Sequence, residues 1–93
     1  MEEKAADIAE LLKVLANKYR LLTLCSLCKS NMSVGQLLDT LEGAISQPAL
    51  SQHLSALKSN GIVKADKSGQ IVVYSIYDER VRDILHLLKD KYC

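Results

Sequence analysis

Three cysteines, Cys25, Cys28 and Cys93, are the residues of this chain best suited to covalent or metal chemistry. Their odd number argues against a framework of structural disulfides, so we expect buried thiols, metal ligands or redox-active groups. Cys25 and Cys28 are three positions apart on a predicted helix, so their thiols would share a face and could bind a soft metal. Only Cys93 could add another thiol, which leaves few ligands for a closed tetrahedral site.

A second candidate surface is the polar face of a helix that is predicted to follow Ser46. Ser46 can cap this helix, proline in its first turn removes no hydrogen bond, and Asn60-Gly61 ends it. One face is apolar, with Leu50, Leu54 and Leu57. The other face is polar, with Gln47, Ser51, Ser55 and Lys58 spaced i, i+4, i+8, i+11, and Pro48 and Gln52 beside them.

The side chains of this polar face can hydrogen-bond DNA. Glutamine can make two bonds to an adenine edge, serine can contact a base or a phosphate, and a helix N-terminus favours a phosphate. A solvated face is the alternative, but an ordinary exposed helix would be richer in Glu and Lys. We expect His53 at the flank or partly buried, as a hydrogen-bonded structural or phosphate-contacting residue rather than a metal ligand.

Two β-rich runs, residues 62–67 and 70–76, predict a hairpin joined at Ser68-Gly69. Lys64 and Lys67 straddle the region of its tip. They could touch backbone phosphate or enter a minor groove. Solvated hairpin lysines are an equally good interpretation.

The remaining apolar periodicity predicts the helices that must position these groups. A first helix spans roughly residues 3–16, and a second, capped by Asn17, runs to about Cys28. Ser33 with Gln36 reads as a capping box for a short third helix that ends near residues 42–43. After the Ser46 helix and the hairpin, Asp78 caps a last helix that runs toward the end of the chain.

This order predicts a mainly α fold with a β-hairpin wing (α+β), a winged helix-turn-helix, with a generic α+β domain as the alternative.

The first and last helices lie outside the winged unit, and both carry apolar stripes. The stripes are Ile8, Leu11, Leu12 and Leu15, and Val81, Ile84, Leu85 and Leu88. A three-helix core cannot fully cover them. We therefore expect them to form the interface of a homodimer.

Length and charge limit the classes of function. Ninety-three residues predict a single domain, residues 1–93, with marginal stability as a lone protomer. The net charge is only +1, but residues 11–30 carry four basic and no acidic side chains, and basic groups that converge on one face can bind DNA. The acidic residues 1–10 are the wrong flank for a signal peptide, and no apolar run could span a bilayer. We therefore expect a cytoplasmic protein without membrane contact.

The sequence resembles the ArsR/SmtB family of bacterial repressors. The most specific match is the Ser-Gln-x-x-x-Ser-Gln-His-Leu pattern within residues 46–54, and residues 15–20, 33–37, 57–63 and 74–76 also match. The resemblance implies a homodimer that binds an imperfect inverted repeat in double-stranded operator DNA. It also implies release when an inducer binds or a thiol reacts, and it implies no cofactor.

The resemblance also bears on which inducer this protein detects, a metal ion or a thiol-reactive compound. Many family members bind metal through paired cysteines at the start of the third helix, where this chain has Ser33, Val34 and Gly35. Others use Asp and His ligands on the last helix, which here has only His86 with Asp83 and Asp90. The thiol-sensing branch of HlyU/BigR type is a better match, because its cysteines correspond to Cys25 and Cys93 and form a disulfide or polysulfide bridge. Cys28 has no assigned place in that pattern.

Our interpretation is a homodimeric repressor, not an enzyme, with a thiol switch formed by Cys25 and Cys93. Its predicted DNA contacts are Gln47, Pro48, Ser51, Gln52, His53, Ser55, Lys58, Lys64 and Lys67. A metal-responsive repressor with the same DNA mode is one alternative. A second is a protein-interaction module that has lost DNA binding, against which the short polar face argues. A third is a thiol-disulfide oxidoreductase, which is weak because Cys25-x-x-Cys28 does not follow a β-strand. The operator, and whether the protein represses or antagonises another repressor, are left open.

Overall fold

A computed structural model describes residues 1–92, and Cys93 lies outside the described residues. The elements in chain order are α1 (Glu2–Leu15), α2 (Lys18–Lys29), β1 (Met32–Ser33), α3 (Val34–Thr40), α4 (Gln47–Ser59), β2 (Val63–Ser68), β3 (Ile71–Ile76) and α5 (Glu79–Tyr92). The predicted order of helices and hairpin is confirmed. The structure adds the short strand β1.

Side-chain caps start the helices where the sequence predicts them. The Asn17 side chain accepts hydrogen bonds from two amides of the first turn of α2. Ser33 and Gln36 form the predicted capping box of α3, in which each side chain accepts from the backbone of the other residue. Ser46 caps α4, and Asp78 accepts from the amide two residues further on. Each cap satisfies an amide that has no partner inside its helix, and so fixes the first residue of that helix.

The third helix ends earlier than its predicted limit near residues 42–43. Its last residue is Thr40, Leu41 is the C-cap with right-handed φ and ψ, and the backbone leaves that region at the next residue. Glu42 has φ 49° and Gly43 has φ 78°, both left-handed, and such residues cannot continue an α-helix. Residues 41–46 form the connection between α3 and α4.

The sheet has one strand more than the predicted hairpin. β2 and β3 pair antiparallel from Val63 opposite Ile76 to Ser68 opposite Ile71. β1 pairs with the other edge of β3, with Met32 opposite Tyr74, so the strand order among the described residues is β1-β3-β2. Two residues are too few to show an alternating pattern, which is why the sequence predicted no strand there. β1 ties the end of α2 and the start of α3 to the base of the wing.

The core lies between α2, α3 and α4 and is closed by the sheet and α5. Its fully buried side chains are mostly leucines, including Leu24, Leu27, Leu37, Leu50, Leu54 and Leu57. Val81 and Leu85 of α5 are buried in the same cluster. The expectation that Val81 and Leu85 belong to a dimer interface is therefore wrong, because both side chains are buried inside the protomer. Leu88, one turn further along, is 41% exposed.

Among the described residues, helix α1 joins the core through Leu11, Val14 and Leu15. Leu15 is buried and Leu11 is partly buried against the core, whereas Ile8 and Leu12 are each 49% exposed. The described residues form an elongated body with extents of 44 × 28 × 20 Å. Ile8 and Leu12 thus present apolar surface, about half of which the described residues leave uncovered.

Candidate functional site

Helix α4 has one fully buried face and one exposed polar face. Leu50, Leu54 and Leu57 have no exposed surface, and they hold the helix against α2 and α3. On the opposite face Gln47, Ser51, Ser55 and Lys58 are all exposed, as are Pro48 and Gln52 beside them. Burial of the leucines fixes the rotation of the helix about its axis, so the polar side chains must face solvent.

The exposed face of α4 offers neutral hydrogen-bonding groups and little charge. Residues 47–59 contain no carboxylate, one lysine and one histidine. The Ser46 hydroxyl accepts from the Ala49 amide at 3.3 Å, and the first turn carries positive partial charge from the helix dipole. Amides, hydroxyls and a helix N-terminus without nearby carboxylates are suited to the edges of bases and to phosphate.

His53 lies at the flank of this face, half-buried, and takes part in a hydrogen bond. Its Nδ1 accepts from Arg20 Nε at 3.2 Å, so the proton of the neutral ring is on Nε2. Burial and then the Arg20 charge lower the pKa of His53, because both disfavour the imidazolium. The predicted position and hydrogen bonding of His53 are thus confirmed, with Arg20 as the partner.

Arg20 and Tyr19 are two residues of this site to which the sequence analysis assigned no role. Arg20 Nη1 also donates to the carbonyl of Val14 at 3.1 Å, and the Tyr19 ring stacks on His53 with centroids 6.2 Å apart. Lys18 Nζ lies 5.7 Å from the centroid of the Tyr19 ring. The signals in the sequence were the Asn17 cap and the match of residues 15–20 to the family pattern, neither of which reveals what the first turn of α2 contacts.

The two lysines of the wing do not share a face of the hairpin. Lys64 and Asp66 are two positions apart on β2, and Lys64 Nζ is 3.6 Å from a carboxylate oxygen of Asp66. Lys67 points to the opposite side of the strand. Both lysines are exposed, and among residues 1–92 Lys67 forms no ion pair. Lys67 therefore presents an uncompensated charge, whereas the charge of Lys64 is partly offset.

Cys25 and Cys28 lie on one side of α2 and line a cavity against α5. Its volume is about 570 Å³, and Leu21, Leu85 and Tyr92 contribute to its wall. Cys25 is exposed, and Cys28 is half-buried and packs against the core. Burial raises the pKa of Cys28, Cys25 adds to that effect, and the charges of Arg82 and Lys89 oppose it. Cys28 is accordingly a weak nucleophile at neutral pH.

The predicted partner of Cys25, Cys93, lies outside the described residues. Tyr92, the residue before it, lines the same cavity as Cys25. Among residues 1–92, no three side chains of His, Cys, Asp or Glu are grouped closely enough to hold a metal ion. Within the same residues, no helix has the length and apolar character needed to cross a membrane.

Comparison with known proteins identifies the family. Residues 17–65 match the family described as bacterial regulatory protein, arsR family. The transcriptional activator HlyU of Vibrio cholerae is 42% identical over 93 residues, which span 100% of this chain and 84% of that protein. The biofilm growth-associated repressor of Xylella fastidiosa is 32% identical over 93 residues, spanning 100% of this chain and 80% of that protein.

Solved structures agree with the fold. The structure of reduced HlyU from Vibrio cholerae matches with a TM-score of 0.92 and 42% identity, covering 100% of this chain and 96% of that one. The structure of the repressor BigR from Xylella fastidiosa matches with a TM-score of 0.89 and 32% identity, covering 100% of this chain and 93% of that one. These structural matches confirm the winged-helix prediction. The relatives are named as an activator and a repressor rather than as enzymes, which removes support from the oxidoreductase alternative. The chain therefore belongs to the arsR family of bacterial regulatory proteins, and it is a transcriptional regulator.

Proposed function

We propose that this protein is a cytoplasmic repressor, built as one winged-helix domain of residues 1–93, that binds an inverted-repeat operator as a homodimer. Oxidation or polysulfide bridging of Cys25 and Cys93 releases it from the DNA. The observation that carries the DNA-binding part is the polar face of α4, which has no carboxylate and is held outward by three buried leucines. The proposed contacts are Gln47, Pro48, Ser51, Gln52, His53, Ser55 and Lys58 on α4, and Lys64 and Lys67 on the wing.

The homodimer is supported by the uncovered stripe of α1. Ile8 and Leu12 of α1 are each 49% exposed, and Leu87 of α5 is 58% exposed. Burying such side chains against a second copy removes apolar area from water at about 25 cal/mol per Å². A two-fold axis would set the two α4 helices roughly 34–36 Å apart, one turn of DNA.

The thiol switch is supported by the cavity between α2 and α5. Cys25 is exposed at this cavity, and Tyr92, which precedes Cys93 in the sequence, lines it. Forming a disulfide transfers two electrons to an oxidant and releases two protons from the thiols. It also requires Cα atoms within about 7 Å, a limit that a polysulfide bridge relaxes. A relative with this fold has been solved in a form described as reduced.

A bridge would act on DNA through the position of α5. It constrains the end of α5 against α2, and any movement of α5 alters the dimer and hence the separation of the α4 helices. A shift that costs about 3 kcal/mol weakens operator binding roughly a hundredfold. The expected effect is thus large enough to derepress a promoter.

The experiment is a titration of the protein's own promoter DNA with reduced and with polysulfide-treated protein. Wild type should bind when reduced, release when treated and bind again after reductant. Cys25→Ser and Cys93→Ser should bind and fail to respond, whereas Cys28→Ser, the matched control, should respond like wild type.

Release of the Cys25→Ser/Cys93→Ser protein by oxidant would disprove the switch. Release of wild type by zinc, restored by a chelator, would favour the metal-responsive alternative. Failure of reduced protein to bind any promoter fragment would favour the interaction module.

A further inference from the structure

The cavity between α2 and α5 has the size and wall of a small-molecule site. Its volume of about 570 Å³ falls within the range typical of ligand pockets, about 300–1,000 Å³. Leu21, Leu85 and Leu88 supply an aliphatic wall, and the Tyr92 ring adds an aromatic one. Leu88 is 41% exposed, so one side of the cavity is open to solvent. An apolar chain lying here would cover carbon surface that is now partly wet.

The polar groups around this wall are basic side chains, two thiols and the Tyr92 hydroxyl. Lys29, Lys89 and His86 line the cavity, and none of its lining residues is Asp or Glu. Lys29 ends α2 and Lys89 lies in the last turn of α5, and neither forms an ion pair with another described residue. A cation at this rim would be repelled. An anion would find two ammonium groups that no described carboxylate engages.

We propose that this cavity is a binding site for an amphipathic anion of the medium-chain alkyl carboxylate class. The alkyl chain lies against Leu21, Leu85 and Leu88, and the carboxylate lies at Lys29 and Lys89. The site rests on the shape and charge of the cavity alone, and it requires neither DNA nor a thiol reaction. The protein would in this way take a non-covalent ligand at a surface distinct from the polar face of α4.

The first test is calorimetric titration of hexanoate, octanoate and decanoate into the reduced full-length protein without DNA. Burying one methylene fully is worth about a fourfold gain in affinity. Because the cavity is open on one side, we expect about two- to fourfold tighter binding per added methylene. Octanol should bind more weakly than octanoate, and octylammonium more weakly still. Equal affinity for octanoate and octylammonium would overturn the proposal, and so would the absence of saturable binding by any of the three acids.

Charge-reversal variants locate the carboxylate. Lys89→Glu should weaken octanoate binding at least tenfold and leave octanol binding within twofold. Lys91→Glu is the matched control, because it makes the same charge change on the same helix without lining the cavity. Leu88→Gln should weaken the binding of octanoate and of octanol alike.

An equal loss of octanoate binding in Lys91→Glu and Lys89→Glu would show a long-range charge effect and overturn the site. Thermal melts of each variant establish that it is folded, and no DNA or oxidant is present, so these outcomes are independent of the proposed thiol switch.

Discussion

Arg20 Nε donates a hydrogen bond to His53 Nδ1 at 3.2 Å, between residues that are 33 positions apart in the chain. The same guanidinium donates through Nη1 to the carbonyl of Val14 at 3.1 Å. That carbonyl is one of the last four of α1, which have no partner within their own helix. One side chain of α2 therefore connects the end of α1 with α4, the helix that carries the polar face.

The stability of the protein should decrease in acid because of His53. Its pKa is lowered in the folded state by burial and by Arg20, so below the ordinary value near 6.5 the unfolded chain binds a proton that the folded chain resists. This contribution is complete above about pH 6.5 and is lost as the pH falls through the lower pKa of the folded state. Urea unfolding between about pH 5 and pH 8 measures it. His53→Asn should flatten the dependence, and the exposed His86→Asn should not. An equal flattening by both variants would contradict this assignment.

The polar face of α4 should carry the sequence preference. Ser51→Ala and Gln47→Ala should each weaken operator binding by about 1–3 kcal/mol and relax the preference at one base position. Ser59→Ala is the control, because it makes the same change at an exposed position at the other end of α4. The measurement is fluorescence anisotropy with the operator and with single-base variants. Wild-type binding by Ser51→Ala would show that the face is misassigned.

The wing should contribute charge rather than sequence preference. Lys67→Ala should weaken binding to all DNA sequences alike and reduce the salt dependence by about one phosphate contact. Asp66→Asn should have the opposite effect, because it removes the carboxylate 3.6 Å from Lys64 Nζ. This ion pair is exposed and adds little to folding, so the melting temperature should hardly change. A steeper salt dependence in Lys67→Ala would be inconsistent with phosphate contact.

The dimer should depend on the exposed stripe of α1. Leu12→Asp should yield folded monomers that no longer bind operator DNA, because the side chain is half-exposed in the protomer and its exposed surface lies in the proposed interface. Leu85→Asp should instead unfold the protein, because it would bury a carboxylate in the core. Sedimentation velocity and circular dichroism distinguish the two outcomes. Ile71→Asp, at an exposed apolar position on the wing, should remain dimeric. A dimeric Leu12→Asp protein would exclude this interface.

Cys28 should react slowly while the protein is folded. Burial raises the pKa of its thiol, so less thiolate is present near neutral pH than in an unfolded chain. In the Cys25→Ser/Cys93→Ser protein, alkylation of Cys28 by iodoacetamide should be slower in buffer than in urea, where the thiol is solvated. Mass spectrometry of timed samples gives both rates from one protein. Equal rates would mean that the burial of Cys28 does not limit its reactivity.

The sequence by itself determined where the helices begin and which way α4 faces. The Asn17, Ser33 and Ser46 caps involve partners within three residues, and the periodicity of Leu50, Leu54 and Leu57 defines one face of one helix. Such interactions are nearly independent of the rest of the chain, so their residue types and spacings suffice to predict them. The family pattern within residues 46–54 then linked that face to DNA.

Tertiary structure decided the contacts between segments that are distant in the chain. Leu85 and Leu88 belong to one stripe, yet only the packing of α5 on the body buries the first and leaves the second exposed. The pairing of Met32 with Tyr74 and the bond between Arg20 and His53 likewise depend on how elements dock, which no local periodicity encodes. The cavity between α2 and α5 exists for the same reason, since its wall is shared by two helices that meet only when the core is packed.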